Sequence, residues 1–331
     1  MKVEEQQMGT APPPLPPLPP LPPLPPSPSM NPMLPDPIRI PNLDLMTGLE
    51  SASIDQLIQF LSDPVYRVPA MTMLIKSHSR NEDLAMKLWE SQNTISVLLL
   101  EVINLFRKLE PQILTAEESD RVCLIITLFQ VIASHPQTKR LFIQAHIPIY
   151  LYPFLSAKVR RRAYDNLRLA SLGVLGALVK TDDDEIGYFL LETEIFPLCL
   201  CSMEYGSSLS CTVATFILWR MLNQQPGLIY CLETMERFLA VTGILERMLI
   251  RLTTEPQPSM RLLKYIIGCY ISLAGSSKLR DPRTSKEVLG RCFPICIRDG
   301  AFNSYIEKLE DSSVIRMLMQ HLYEIVNRLR G

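Results

Sequence analysis

LFQVIASHPQ (Leu128–Gln137), LGALVKTDDD (Leu175–Asp184), LWRMLNQQPG (Leu218–Gly227) and YISLAGSSKL (Tyr270–Leu279) share one form, an apolar run that stops at small, polar or turn-forming residues. Their starts at positions 128, 175, 218 and 270 lie 47, 43 and 52 residues apart. That spacing is close to the roughly 40–47 residues of armadillo and HEAT units, in which two or three helices bury their apolar faces only against the next unit. Runs such as Leu169–Val179 are apolar on several faces, as an inner layer shielded on both sides requires. The repeated period favours a helical solenoid over a large irregular bundle.

Outward from these segments the pattern stays helical, with almost no strand alternation. In SIDQLIQFL (Ser53–Leu61), Ile54, Leu57, Ile58 and Leu61 fall at i, i+3, i+4 and i+7, and Ser53 stands at the N-cap position. Asn93 opens a helix containing Ile95, Leu98, Leu99, Val102, Ile103 and Phe106. Further helices are predicted over 117–134, 165–180, 210–222, 233–253 and 259–274, with Pro111, Pro136, Gly206, Pro226 and Pro256 between them. Residues 51–331 are therefore expected to form an all-α, armadillo-like helical repeat solenoid.

Residues 1–50 are a different polymer. Of 28 prolines, 16 lie in the first 41 positions, and residues 12–26 read PPPLPPLPPLPPLPP. Proline fixes φ and removes the backbone donor, so a disordered extension with polyproline II character is expected. Leu15, Leu18, Leu21 and Leu24 would line one edge of such a helix. Two readings stay open, a ligand for an aromatic-lined groove and a stiff spacer.

Composition narrows the function classes. Lys plus Arg is 33 against 34 for Asp plus Glu, and beyond residue 41 the balance is 31 against 31, so no net field draws the chain to nucleic acid or an anionic membrane. The apolar runs stop at 11 or 12 residues, too short to span a bilayer. Glu4, Glu5 and the proline tract stand where a signal peptide would carry an apolar stretch. An intracellular protein without disulfides is expected, its eight cysteines mostly core thiols.

Several longer stretches carry a specific likeness: RVCLIITLFQVIASHPQTKRLFIQAHIPIYLYPFL (Arg121–Leu155), LRLASLGVLGALVKTDDDEI (Leu167–Ile186), TEIFPLCL (Thr193–Leu200) and TVATFIL (Thr212–Leu218). Over about residues 52–330 the chain resembles the required-for-cell-differentiation family, the ninth subunit of the CCR-NOT deadenylase complex. The resemblance implies an armadillo-type domain without catalytic activity, docked on the scaffold subunit of that complex and offering surfaces to short peptides of mRNA repressors. It further implies cytoplasmic work, with nuclear and processing-body pools. Single-stranded nucleic acid is the alternative ligand, and homodimer and scaffold-bound monomer both stay open.

The resemblance also assigns residues. Glu90, Gln92 and Ser96 stand where the family's peptide groove carries His, Phe and Ala, while Ile103 and Val213 keep aliphatic character there. At the tryptophan-accepting pockets Met235 replaces a Tyr, Arg237 is retained and Arg283 matches a second arginine. The scaffold should survive these changes, whereas peptide specificity should shift.

No catalytic constellation accompanies them. Gly173 and Gly176 sit in a helical run, where small residues let helices approach. Cys199/Cys201 are spaced C-x-C and Cys292/Cys296 at the spacing of one helical turn, but zinc usually needs four converging ligands, so core thiols are favoured over metal ligands. His135 and His146 fall at helix ends, where an imidazole can bond a carbonyl. Asp182, Asp183, Asp184 and Glu185 read as a turn and helix start favoured by the helix dipole. No catalytic residue, cofactor or metal is assigned. Lys158, Arg160, Arg161, Arg162 and Arg168, with Tyr164 interleaved, form a basic cluster that is either a solvated surface or a phosphate-binding site with a stacking ring.

Overall fold

A computed structural model defines residues 49–255, 258–276, 294, 306 and 313–330; among these there is no strand. The α-helices are α1 (Ile54–Phe60), α2 (Arg67–Ser77), α3 (Leu84–Glu90), α4 (Thr94–Asn104), α5 (Ala116–Ser134), α6 (Pro136–Gln144), α7 (Tyr152–Ser156) and α8 (Arg162–Leu178). They continue with α9 (Asp184–Glu192), α10 (Ile195–Tyr205), α11 (Ser208–Asn223), α12 (Gln225–Glu233), α13 (Met235–Thr254), α14 (Met260–Ala274) and α15 (Ser313–Arg330). The fold is all-α and armadillo-like.

Local chemistry sets the helix starts. Ser53 with Gln56 and Thr115 with Glu118 form complete capping boxes, and Asp183, Ser207, Thr234 and Ser259 accept backbone N–H bonds at the starts of α9, α11, α13 and α14. Two of the expected breakers turn out to be starters. Pro136 and Pro226 occupy the first turns of α6 and α12, where a missing N–H costs nothing. His135 and Gln224, both in extended backbone, close one helix and open the next, so the ASHP and NQQP endings are one corner used twice. Asn93 opens α4 as expected, from a left-handed φ of 64° and without a side-chain capping bond.

The long helices α5, α8, α11 and α14 form the inner layer, each packed against the next, with α15 against α14. Their starts at Ala116, Arg162, Ser208 and Met260 lie 46, 46 and 52 residues apart. They run parallel, because contacts advance together along each pair. Ser119 Oγ donates to Ala163 O (2.7 Å), and Gln130 lies over Gly173 further along the same two helices. Asp165 meets Ser207 and Ser210, and Gly176 meets Val213 and Phe216. Between α11 and α14, Trp219 covers Gly268 and Ser272 Oγ donates to Asn223 Oδ1 (2.5 Å).

Burial all round follows from this layer. Val122 to Phe129 are all buried on α5, and Thr127 and Thr215 return their hydroxyls to the carbonyls four residues back. Burying each large aliphatic side chain contributes about 1.5–3 kcal/mol, which outweighs the modest helix propensity of these β-branched runs. Cys123, Cys199, Cys211, Cys231 and Cys269 belong to this core, and burial pushes the thiols of Cys123, Cys199 and Cys231 up to about 12. Cys292 and Cys296 lie outside the described residues. Among the described residues no single helix is long and apolar enough to cross a membrane.

Candidate functional site

The corner between α3 and α4 brings together four of the expected groove residues. Glu90 ends α3, Gln92 lies in the connection, and Ser96 and Ile103 lie on α4; the first three are exposed and Ile103 is half-buried. Helical geometry puts Ser96, Leu100 and Ile103 on one face. Leu100, 59 % exposed, is the residue that sequence reasoning passed over, although its i+4 relation to Ser96 marks it. Beneath that face Leu98, Val102 and Leu105 are buried. Glu101 fixes the helix from behind, accepting from Arg67 Nη1 (2.6 Å) and pairing with Arg121 Nε (3.6 Å). Arg67 Nε also donates to Leu61 O (2.7 Å), so the corner is held to α2 and α5.

Val213 is a different case, and its expected place facing an open groove is corrected. It is 4 % exposed, and its Cγ1 lies 3.8 Å from where a Cβ on Gly176 would stand. The inner layer encloses it. α5 and α8 stand between α4 and α11, so Val213 does not adjoin Ile103. One turn on, Phe216 reaches the Tyr265 ring (5.3 Å between centroids), and Tyr265 stacks on Trp219 at 5.6 Å and 26°.

Met235 and Arg237 open α13. Met235 is 48 % exposed, with Ile229 and Leu239 also exposed. The Arg237 guanidinium lies 3.9 Å from the Tyr230 ring centroid and donates to Glu233 Oε2 (2.8 Å), while Tyr230 leans on Phe196 at 5.1 Å. This is a cation–π stack with a paired charge, a preorganised rim beside an apolar patch. Arg283 lies outside the described residues.

The basic cluster divides in two. Lys158, Arg160, Arg161 and Arg162 are exposed ahead of and at the start of α8. Arg160 Nη2 donates to Glu204 O (2.9 Å), and Arg161 Nη1 to Gln112 O (2.8 Å). Arg168 is 0 % exposed and does not belong to that surface. It donates to Asp165 Oδ1 (2.9 Å) and to the carbonyls of Ala157 (2.5 Å) and Val159 (3.2 Å), tying the loop to the helix. Tyr164, 2 % exposed, offers no stacking face; its hydroxyl reaches the carbonyls of Lys108 and Leu109. Helical period explains both corrections, since 164, 168, 171, 172 and 175 share the inward stripe of α8.

Burial works against the Asp165 charge, but bonds from Ser207, Ser210 and Arg168 overcome it and hold the carboxyl below its usual value. The acidic run is the helix start expected of it: Asp183 caps α9, Arg140 bonds Asp183 (3.3 Å), and Arg220 bonds Asp182 (2.7 Å). His135 does sit at a helix end, but its buried Nδ1 has no partner in place of the expected carbonyl bond. His146 takes a left-handed φ of 54° and lays its ring against Phe189. Among the described residues no three His, Cys, Asp or Glu converge where a metal could sit.

Residues 57–325 match the Rcd1-like cell differentiation family. The chain belongs to that family. It is 41 % identical over 276 residues to Protein CAF40 of Saccharomyces cerevisiae, covering 83 % of this chain and 71 % of that protein. It is 40 % identical over 286 residues to the cell differentiation protein rcd1 of Schizosaccharomyces pombe, covering 85 % and 97 %. Among solved structures it resembles an engineered protein with TM-score 0.58 at 14 % identity, covering 83 % of this chain and 98 % of the other. A designed armadillo repeat protein in complex with the peptide (KR)4 gives 0.56 at 15 % identity, covering 83 % and 100 %. These two likenesses establish the fold alone.

Proposed function

We propose that this family member is a non-catalytic adaptor of the CCR-NOT deadenylase complex, docking on its scaffold subunit and recruiting mRNA-repressor peptides. The observation that carries the reading is the α3–α4 corner, where Glu90, Gln92, Ser96 and Leu100 are exposed and α4 is held to α2 and α5 by Arg67, Glu101 and Arg121. A rigid surface with side chains free to contact a ligand loses little entropy on binding. The designed relative of this fold was solved with a peptide bound, which supports an armadillo stack as a peptide platform. The adaptor works in the cytoplasm, with nuclear and processing-body pools, and shortens no poly(A) itself.

Glu90 and Gln92 replace an imidazole and a phenyl ring, so this copy binds the family's usual groove peptides weakly. Restoring one well-buried aromatic contact is worth about 1.5–3 kcal/mol, roughly ten- to a hundredfold in affinity. The combined change Glu90→His, Gln92→Phe and Ser96→Ala should therefore tighten binding of a groove peptide in calorimetry. Equal, tight affinity before and after would mean that these positions do not read the peptide. Co-purification with the scaffold subunit and deadenylase activity tests the assembly; purification without either would remove the adaptor reading.

A second reading rests on Lys158, Arg160, Arg161 and Arg162. The Arg160 and Arg161 contacts to carbonyl oxygens orient the guanidiniums without neutralising them, leaving charge for the phosphates of single-stranded nucleic acid. Binding that weakens steeply with salt and is lost in an Arg160→Ala, Arg161→Ala variant would favour it.

A further inference from the structure

At the far end of the inner layer, α14 carries Arg261 and Lys264 in its first turns, followed by Tyr265. Arg261 is exposed, and Lys264 and Tyr265 are half-exposed. Neither cation forms an ion pair or hydrogen bond with a carboxylate among the described residues, in contrast to Arg140, Arg220, Arg237 and Arg247. Burial, and to a lesser degree the Arg261 charge one turn back, lowers the proton affinity of Lys264. Burial raises the Tyr265 phenol, and again the neighbouring charge is Arg261. Two cations three residues apart on one helix thus have no counter-charge among the described residues, at the end of a helix whose dipole adds to rather than offsets them.

Apolar surface adjoins this charge. The Tyr265 ring packs on Phe216 (5.3 Å) and Trp219 (5.6 Å), and Phe216 in turn approaches Gly176, so one row runs from α8 across α11 to α14. Phe216 is 8 % and Trp219 6 % exposed, which leaves Tyr265 as the ring with a face to offer. A single-stranded nucleic acid needs successive stacking faces and a cation for each phosphate along its track. One ring beside two cations on one helical turn instead fits a single anionic group with an apolar neighbour.

We infer that this α11–α14 surface holds the acidic end of a recruited peptide, Arg261 and Lys264 taking its carboxylate and Tyr265 an adjoining apolar side chain. The inference rests on the peptide-adaptor reading and names the chemistry of the ligand there: an Asp or Glu next to a Leu, Phe or similar residue. Charge complementarity is the reason for choosing an acidic peptide, because a basic or neutral one would supply no counter-charge to two cations that have none among the described residues.

Selection of short random peptides displayed on phage against the full chain tests this. The same selection is run on an Arg261→Glu, Lys264→Glu variant whose thermal melt is checked against the parent. The expected result is enrichment of Asp or Glu beside an apolar residue on the parent and its replacement by Lys or Arg on the variant. A selected acidic peptide should bind the variant about three- to tenfold more weakly, the range for exposed charge pairs, with an attenuated salt dependence. Should the reversed variant melt early, Arg261→Gln with Lys264→Gln serves in its place, with the acidic preference expected to vanish. Acidic preference unmoved by either variant, or enriched peptides without acids, overturns the inference and leaves the adaptor reading standing. No enriched peptide on the parent overturns both. Loss of oligonucleotide binding in the variant, with peptide binding unchanged, would assign the patch to nucleic acid and refute the peptide.

Discussion

Asp165→Asn isolates the charge that joins the second and third inner helices. Three donors converge on Asp165 Oδ1: Arg168 Nη1 at 2.9 Å, the Ser207 N–H at 3.0 Å and the Ser210 hydroxyl at 3.0 Å. Asparagine is nearly isosteric and still presents an acceptor there, so shape and neutral hydrogen bonds survive while the negative charge goes. Arg168 is 0 % exposed and would then be a buried cation without a counter-charge. Breaking such a pair costs about 3–5 kcal/mol. The carbonyls of Ala157 and Val159 continue to accept from the guanidinium, which argues for the lower figure, about 3 kcal/mol. For a domain of this size that is a fall in Tm of about 6–12 °C. Urea unfolding followed by circular dichroism gives the free energy, and adding Arg168→Met should recover part of the loss, because the orphaned charge is removed with its partner. The folded carboxyl titrates below its usual value, so the stabilisation is complete above the unfolded value of about 4 and is lost as pH falls through the lower folded one. The gap between parent and variant should therefore be full at neutral pH and close in acid. A cost under about 1 kcal/mol at neutral pH, or a gap that does not close, would refute the account of Arg168 as a buried, charge-compensated tie.

Val213→Glu should cost several kcal/mol and broaden or abolish the cooperative melt, because the carboxylate would be driven against Gly176 inside the inner layer; a normal melt would return Val213 to the surface. Gly268→Ala places a methyl 2.6 Å from Trp219 Nε1, so an overpacking loss of about 1–3 kcal/mol is expected, with a shift in tryptophan emission as the indole moves. Stability equal to the parent would mean that α11 and α14 separate freely. Removing residues 1–48 should leave helicity and Tm nearly unchanged, since the buried contacts described begin at Leu49; a lost cooperative transition would move the boundary of the helical domain.

The inner helices were legible because their burial is extreme. A run such as Val122–Ala133 has one stable environment, between two other helices, and its recurrence gives the repeat. The outer helices were much less so. α3, α7 and α9 have 7, 5 and 9 residues, too few turns for periodicity to stand out, and they form because proline, caps and neighbours impose them. At the candidate site, Glu90, Gln92, Ser96 and Met235 are exposed, and nothing in their sequence pattern argued for burial. Val213 and Arg168 were misread for opposite reasons. Family likeness supplied a role for Val213 that its apolar helix contradicts, and charge composition supplied a surface for Arg168 that its helical phase contradicts. In both positions the inward stripe was present in the sequence and outranked the analogy.

That contrast has a consequence for how such a chain can change its partners. In a stack of parallel helices the backbone donors and acceptors are consumed within each helix, so a ligand meets side chains. Those at the α3–α4 corner and at Arg261, Lys264 and Tyr265 rest on a largely apolar core in which polar groups such as Asp165 with Arg168, Ser119 with Ala163 O and Arg67 with Glu101 are internally paired. Exposed substitutions away from special contacts alter stability by about 0.5 kcal/mol or less, whereas a single buried aromatic or paired charge at a ligand alters affinity severalfold or more. Substitution at exposed positions such as Glu90 and Gln92 therefore costs the fold little. The energy that defines the repeat lies in the buried layer beneath these exposed side chains, so the surface can change while the fold stays.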